Sequence, residues 1–190
     1  LLSGLLFSAS LALASAPAAT PAQAQDAKST LVVAGPRTPE SLDQEYPPTE
    51  AVHELRRNVY ERLLAYAPKK GEDGVTYEDF GKIVGALAES WEVSPDGLTY
   101  TFKLRPNAKW HDGTPFTAKD VVFTTAKFLP EVHPRARANF SHVESVTAPD
   151  DHTVTFKLKQ PFPAFMKAFE VSSAPMMPAH IYDGTDYKQN

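Results

Sequence analysis

The chain has 190 residues, 42% hydrophobic and 22% charged, the balance of a soluble globular protein rather than a disordered, collagenous or coiled-coil one. Its 19 Lys and Arg against 23 Asp and Glu give a net charge of -4 and no basic surface suited to nucleic-acid phosphates. The absence of cysteine excludes a disulfide scaffold, a thiolate metal site, a cysteine nucleophile and a lipid-acceptor cysteine.

Leu1 to Ala16 is apolar or small, with Leu5-Leu6-Phe7 and Leu11-Ala12-Leu13 as its most apolar parts. The run is short of the ~20 apolar residues that span a bilayer. It reads as the h-region of a secretory signal, with Ala22-Gln23-Ala24 as the small-x-small pattern read by a signal peptidase. The expected signal peptide is therefore residues 1–24. Its charged n-region and initiator Met are missing, so the true start is expected upstream of Leu1.

Thr30 to Ala34 is a β-branched apolar run closed by Gly35-Pro36, the pattern of a buried strand entering a loop. A proline-marked loop then runs from Pro36 to Thr49, and a loop of this length in a compact domain is usually functional or a linker. Thr49 suits an N-cap, with Glu50 in the first turn. Val52, Leu55, Val59, Tyr60, Leu63 and Leu64 follow on one helical stripe, which predicts a helix stopping by Pro68. Lys69 to Gly74 reads as a solvated turn. Tyr77 to Ala88 carries a weak helical pattern broken by Gly81 and Gly85 and stays ambiguous.

Beyond it the period changes to two. Ser94-Pro95-Asp96-Gly97 separates Trp91-Glu92-Val93 from Leu98, Tyr100, Phe102 and Leu104, which alternate with Thr99, Thr101 and Lys103 and so predict a β-hairpin. His111-Asp112-Gly113-Thr114-Pro115 is a second turn. Thr117 and Asp120 form a capping-box pattern with Asp in place of Glu or Gln. The helix it opens is partly buried through Val121, Val122, Phe123, Ala126 and Phe128, and Pro130 and Pro134 are expected to end it. Val154, Phe156 and Leu158 alternate with Thr153, Thr155 and Lys157 as another half-buried strand, after a Pro149-Asp150-Asp151 turn. The sum is a mixed α/β or α+β domain without internal repeats.

The residues from Leu87 to Arg105, reading Leu-Ala-Glu-Ser-Trp-Glu-Val-Ser-Pro-Asp-Gly-Leu-Thr-Tyr-Thr-Phe-Lys-Leu-Arg, resemble the signature of the family 5 extracellular solute-binding proteins. The likeness continues from Trp110 to Val121 as Trp-His-Asp-Gly-Thr-Pro-Phe-Thr-Ala-Lys-Asp-Val. These proteins are the oligopeptide-, dipeptide- and nickel-binding receptors of bacterial ABC importers. Thr30 to Ala34 resembles the family's first strand, Val59 to Leu64 its first helix, and Pro178 to Tyr182 a segment shortly before the chain returns to the main lobe.

The resemblance implies a two-lobed, type II-like periplasmic-binding-protein fold with the extra subdomain of the large peptide-binding class and the ligand enclosed between lobes. Members are much longer, so residues 25–190 are expected to be an N-terminal part, the start of lobe one and the extra subdomain, cut at Asn190. It also implies a monomer without cofactor or nucleic-acid partner, placed in the periplasm, that takes a peptide or small polar solute to inner-membrane permease subunits. Carried onto this sequence, the loop after the first strand supplies Arg37, Thr38, Pro39 and Glu40, with Tyr46 and Thr49 near the helix start. A helix N-terminus can take a carboxylate on free N–H groups, and Arg37 can pair with one bidentately. Where many members read Asp-Pro, this chain has Leu42-Asp43-Gln44, and the solute stays open among peptide, nickel, glycoside, opine and other solutes.

The signature itself reads as architecture. Trp91, Tyr100, Phe102, Trp110 and Phe116 are large apolar groups whose burial contributes ~1.5–3 kcal/mol each. The six histidines show no HExxH pair or other close ligand spacing. A secreted α/β hydrolase is the alternative from another class. For it, Ser90 lacks a Gly-x-Ser-x-Gly elbow, and Asp150-Asp151 and Asp183 with Asp186 sit in turn-like contexts.

Overall fold

The structure is a computed structural model that describes residues 57–169 and 174–187. The expected signal segment, first strand and proline-marked loop lie outside the described residues, as does the start of the expected helix.

Residues 57–59 are helical, but the chain then leaves the helix and enters strand β1, Leu64–Lys70. The helix expected to reach Pro68 therefore stops before Tyr60. The reason is tertiary. The Leu63 carbonyl accepts from both Ala86 N (3.0 Å) and Ala88 N (3.1 Å), and Leu87 N donates to Arg62 O at 3.0 Å. Leu63 and Leu64 are buried by this stitching, and strand pairing overrides a weak helical preference.

The ambiguous segment is a strand. β2, Thr76–Gly85, pairs antiparallel with β1 from Leu64↔Gly85 to Lys70↔Thr76. The register jumps between Tyr66↔Ile83 and Ala67↔Asp79, so Phe80, Gly81 and Lys82 bulge out, and the Asp79 carboxylate accepts from Gly81 N at 3.0 Å. The expected turn at Lys69 starts later, because both lysines belong to β1. At the far end of β2 the backbone passes so close to Ala88 that a Cβ on Gly85 would lie 2.2 Å from the Ala88 carbonyl oxygen. Only glycine allows that crossing.

The second sheet has the order β3-β4-β6-β5, every pair antiparallel. β3, Ala88–Val93, and β4, Thr99–Leu104, form the expected hairpin around Ser94-Pro95-Asp96-Gly97, with Gly97 at φ 69°. β5, Val143–Asp150, went unread in the sequence, because its pattern Val-Glu-Ser-Val-Thr-Ala-Pro-Asp lacks an alternating apolar face. It sits at the sheet edge, takes Pro149 and turns at Asp151–His152 into β6, Thr153–Leu158.

Tyr100, Phe102, Leu104, Val154, Phe156 and Leu158 are buried along the two central strands. Phe165 and Phe169, from the 3-10 turn Phe165–Phe169, pack on them edge-to-face: Tyr100–Phe165 at 4.9 Å, Phe102–Phe169 at 5.1 Å and Phe156–Phe169 at 5.1 Å. Of the five aromatics expected in the core, Tyr100, Phe102 and Phe116 are buried, while Trp91 and Trp110 are partly buried against it.

Thr117 caps α1, Ala118–Phe123, with the expected capping box. The helix does not end at Pro130. A π-helical turn, Thr124–Phe128, carries the chain into α2, Leu129–Val132, and Leu129 N reaches back to Thr124 O. Pro130 thus falls in the first turn of a new segment, where its missing N–H costs little. Pro134 does break the helix. His133 before it is extended, φ -117° and ψ 103°, as a residue preceding proline prefers. Its Nδ1 then caps α3, Pro134–Phe140, by accepting from Ala136 N at 3.2 Å. A short α4, Ala179–Tyr182, closes the described chain, and no helix among the described residues is long and apolar enough to cross a membrane.

Candidate functional site

Arg37, Thr38, Pro39, Glu40, Tyr46 and Thr49, the ligand-facing candidates, all lie outside the described residues. The described part holds a concavity where three stretches distant in sequence converge. One is the segment leaving residues 57–59. The second is the turn after Lys109, and the third runs through Met177 into α4.

The turn is built by backbone geometry. Trp110 N donates to Thr114 O (2.8 Å), Gly113 N to Trp110 O (2.9 Å), and Thr114 N to the Asp112 carboxylate at 2.8 Å. Gly113 has φ 89°, which a side chain rarely adopts. Trp110 stands edge-on to Phe116, centroids 5.6 Å apart.

The third stretch is anchored from two sides. Met176 N donates to Glu61 O at 2.9 Å. Thr124 Oγ1 donates to Met177 O at 3.2 Å and accepts from Met177 N at 3.0 Å, all buried. Asp120 is 4% exposed and both of its oxygens are used. Oδ2 accepts from Thr117 N at 2.8 Å, and Oδ1 accepts from Ala179 N at 2.9 Å. The capping residue of α1 therefore also holds the start of α4, a role its Asp-for-Glu departure did not reveal in the sequence.

Between these walls lies a cavity of about 290 Å³, lined by Tyr60, Leu87, Trp110, Phe116, Met177 and Tyr182 among others. A second space of about 580 Å³ adjoins it, sharing Tyr60, Glu61, Lys109, Trp110 and His111, and adds Arg57 and Arg62. Trp110 Nε1 is buried with no hydrogen-bond partner among the described residues. Sequence reasoning placed Trp110 in the core by its size; nothing in the local pattern marks its N–H as unpartnered.

His180 Nε2 lies 2.7 Å from Asp112 Oδ2 and so links α4 to the turn, joining two walls of the cavity. The His180 hydrogen bond, followed by the Thr114 N–H, holds the Asp112 carboxyl down from 3.8 to about 2. A depressed carboxylate contributes stability that is present above its unfolded value and lost as pH falls through the folded one. The contribution of Asp112 is thus intact above pH 3.8 and disappears toward pH 2. Asp112→Asn is expected to flatten the acid limb of a urea-stability profile in that window. An unchanged limb contradicts the assignment. The pair is solvent-exposed, so the effect is small.

The family's sequence profile, described as the middle part of the bacterial extracellular solute-binding proteins, family 5, matches residues 82–190. The chain belongs to this family, whose members are solute-binding proteins. It is 34% identical over 192 aligned positions to the di/tripeptide-binding protein 4 of Pseudomonas aeruginosa, covering 91% of this chain and 34% of that protein. Among solved structures, it resembles the ABC transporter substrate-binding protein CtaP of Listeria monocytogenes at 34% identity and TM-score 0.61, covering 80% of this chain and 29% of that one. It also resembles AgaA from A. tumefaciens R10, solved with agropinic acid, at 32% identity and TM-score 0.59, covering 76% and 27%. The chain spans about a third or less of the length of these proteins.

Proposed function

We propose that the protein is the periplasmic substrate-binding component of an ABC importer, taking a peptide or similar polar solute and presenting it to inner-membrane permease subunits. Residues 1–24 act as the signal peptide, and residues 25–190 supply the start of lobe one and the extra subdomain. Arg37, Thr38, Pro39, Glu40, Tyr46 and Thr49 line the solute on this lobe. The observation that supports the reading most is the 34% identity to a di/tripeptide-binding protein across 91% of this chain. Binding works by closure: contacts from both lobes stabilise the closed form, which the permease recognises. The protein acts as a monomer, needs no cofactor and makes no covalent bond.

The test is a thermal-shift panel of short peptides, amino-acid derivatives, opines, sugars and Ni²⁺ on the complete reading frame. A solute at 100 times its dissociation constant adds about 2.7 kcal/mol. A shift with the solute recovered unchanged supports the reading, and turnover of a panel compound overturns it. Residues 25–190 alone are expected to bind the same solute weakly, because closure needs contacts from both lobes. Binding at ~1 μM or tighter by that piece contradicts the two-lobe account.

A further inference from the structure

The cavity beside Trp110 has a chemistry of its own. Its inner part is apolar, with Leu87, Phe116 and Met177 in its lining. The adjoining space carries three cations, Arg57, Arg62 and Lys109, together with Glu61. Arg57 and Arg62 both reach Glu78, at 3.6 and 3.8 Å, so one carboxylate serves two guanidinium groups. Lys109 has no ion pair among those found within the described residues. Val59 and Ile181 line the same cavity and are 45% and 50% exposed. Trp110 lines both spaces, so its indole resonance reports on either.

We infer that this cavity binds a compact aromatic or branched aliphatic carboxylate. The apolar body fills the space lined by Leu87, Phe116 and Met177, and Lys109 with Arg57 holds the negative charge. A volume of about 290 Å³ stands at the lower end of small-ligand cavities, which suits one ring or one branched chain. None of the residues named for it belongs to the ligand-facing set proposed above. It therefore goes beyond the transport reading and can fail without it.

The experiment uses ¹⁵N-labelled 190-residue chain, whose two tryptophans give two indole N–H resonances. Trp110→Phe assigns them, and Trp91→Phe does so if the first variant fails to fold. Titration with 3-phenylpropionate is expected to move the Trp110 resonance saturably, with a dissociation constant of about 1 mM or tighter. 3-Phenylpropylamine is expected to bind about fivefold more weakly or worse, and Lys109→Gln to weaken the carboxylate about fivefold while sparing 3-phenylpropanol. Three results overturn the site. One is no saturable shift up to the solubility limit. The second is an amine as effective as the acid. The third is a Trp110 resonance that 3-phenylpropionate does not move in the longer reading frame, which means that polypeptide fills the cavity.

Discussion

Replacing Phe156 with alanine lowers the unfolding free energy by about 3–5 kcal/mol. Phe156 is fully buried at the middle of β6, between Tyr100 on β4 and Val146 on β5. Its ring meets Phe102 at 5.7 Å, Phe165 at 5.6 Å and Phe169 at 5.1 Å, each edge-to-face. Truncation removes the transfer energy of the ring and leaves a cavity among rings held by two strands and a 3-10 turn, which cannot easily collapse. Phe156→Leu keeps most of the volume and is expected to cost about 1–2 kcal/mol. Urea unfolding measures both. Against a typical domain stability of ~5–15 kcal/mol, the alanine variant loses a large fraction. A loss below ~1 kcal/mol means that these rings do not form one packed cluster.

Thr124→Val is the second large effect, and it arises from two hydrogen bonds rather than volume. The Thr124 hydroxyl donates to Met177 O and accepts from Met177 N, with all groups buried. Valine keeps the shape and removes both partners at once. Each buried backbone group left unsatisfied costs ~1–3 kcal/mol, so a loss of about 2–4 kcal/mol is expected. Thr124→Ser keeps the hydroxyl and is expected to lose about 1 kcal/mol for the missing methyl. Because Met177 and Pro178 line the cavity beside Trp110, the valine variant also loosens one cavity wall. Hydrogen exchange at the Met177 amide reads this directly: fast exchange in Val and slow exchange in Ser is the expected pair. Equal stability of Val and wild type contradicts the anchoring role.

These two residues show what was legible in the sequence. Phe156 sits in a strict alternation, and a strand with one buried face writes itself as period two. The same holds for β4, the Ser94–Gly97 turn and the Thr117–Asp120 capping box, where local chemistry fixes local geometry. Leu63 and Leu64 were misread because their spacing also fits a helix, while the strand is imposed by amides at Ala86 and Ala88, more than twenty residues away. Pro130 was misread because a π-helical turn, which leaves no local mark, moves it into a first turn. Family likeness was legible in Leu87 to Val121, a continuous run where turn, strand and capping residues must all agree. The cavity was not, because Tyr60, Trp110 and Met177 meet only through long-range hydrogen bonds. Thr124 and Asp120 show no sign in sequence that they hold residues more than fifty positions away.

The claim on which the functional account rests is binding without chemistry. The most direct test is native mass spectrometry of the complete protein with the solute that gives the largest thermal shift, before and after prolonged incubation. The account predicts a one-to-one complex whose added mass equals the unaltered solute at both times, released intact on unfolding. A complex that converts its solute, or a bound mass belonging to a product, contradicts it.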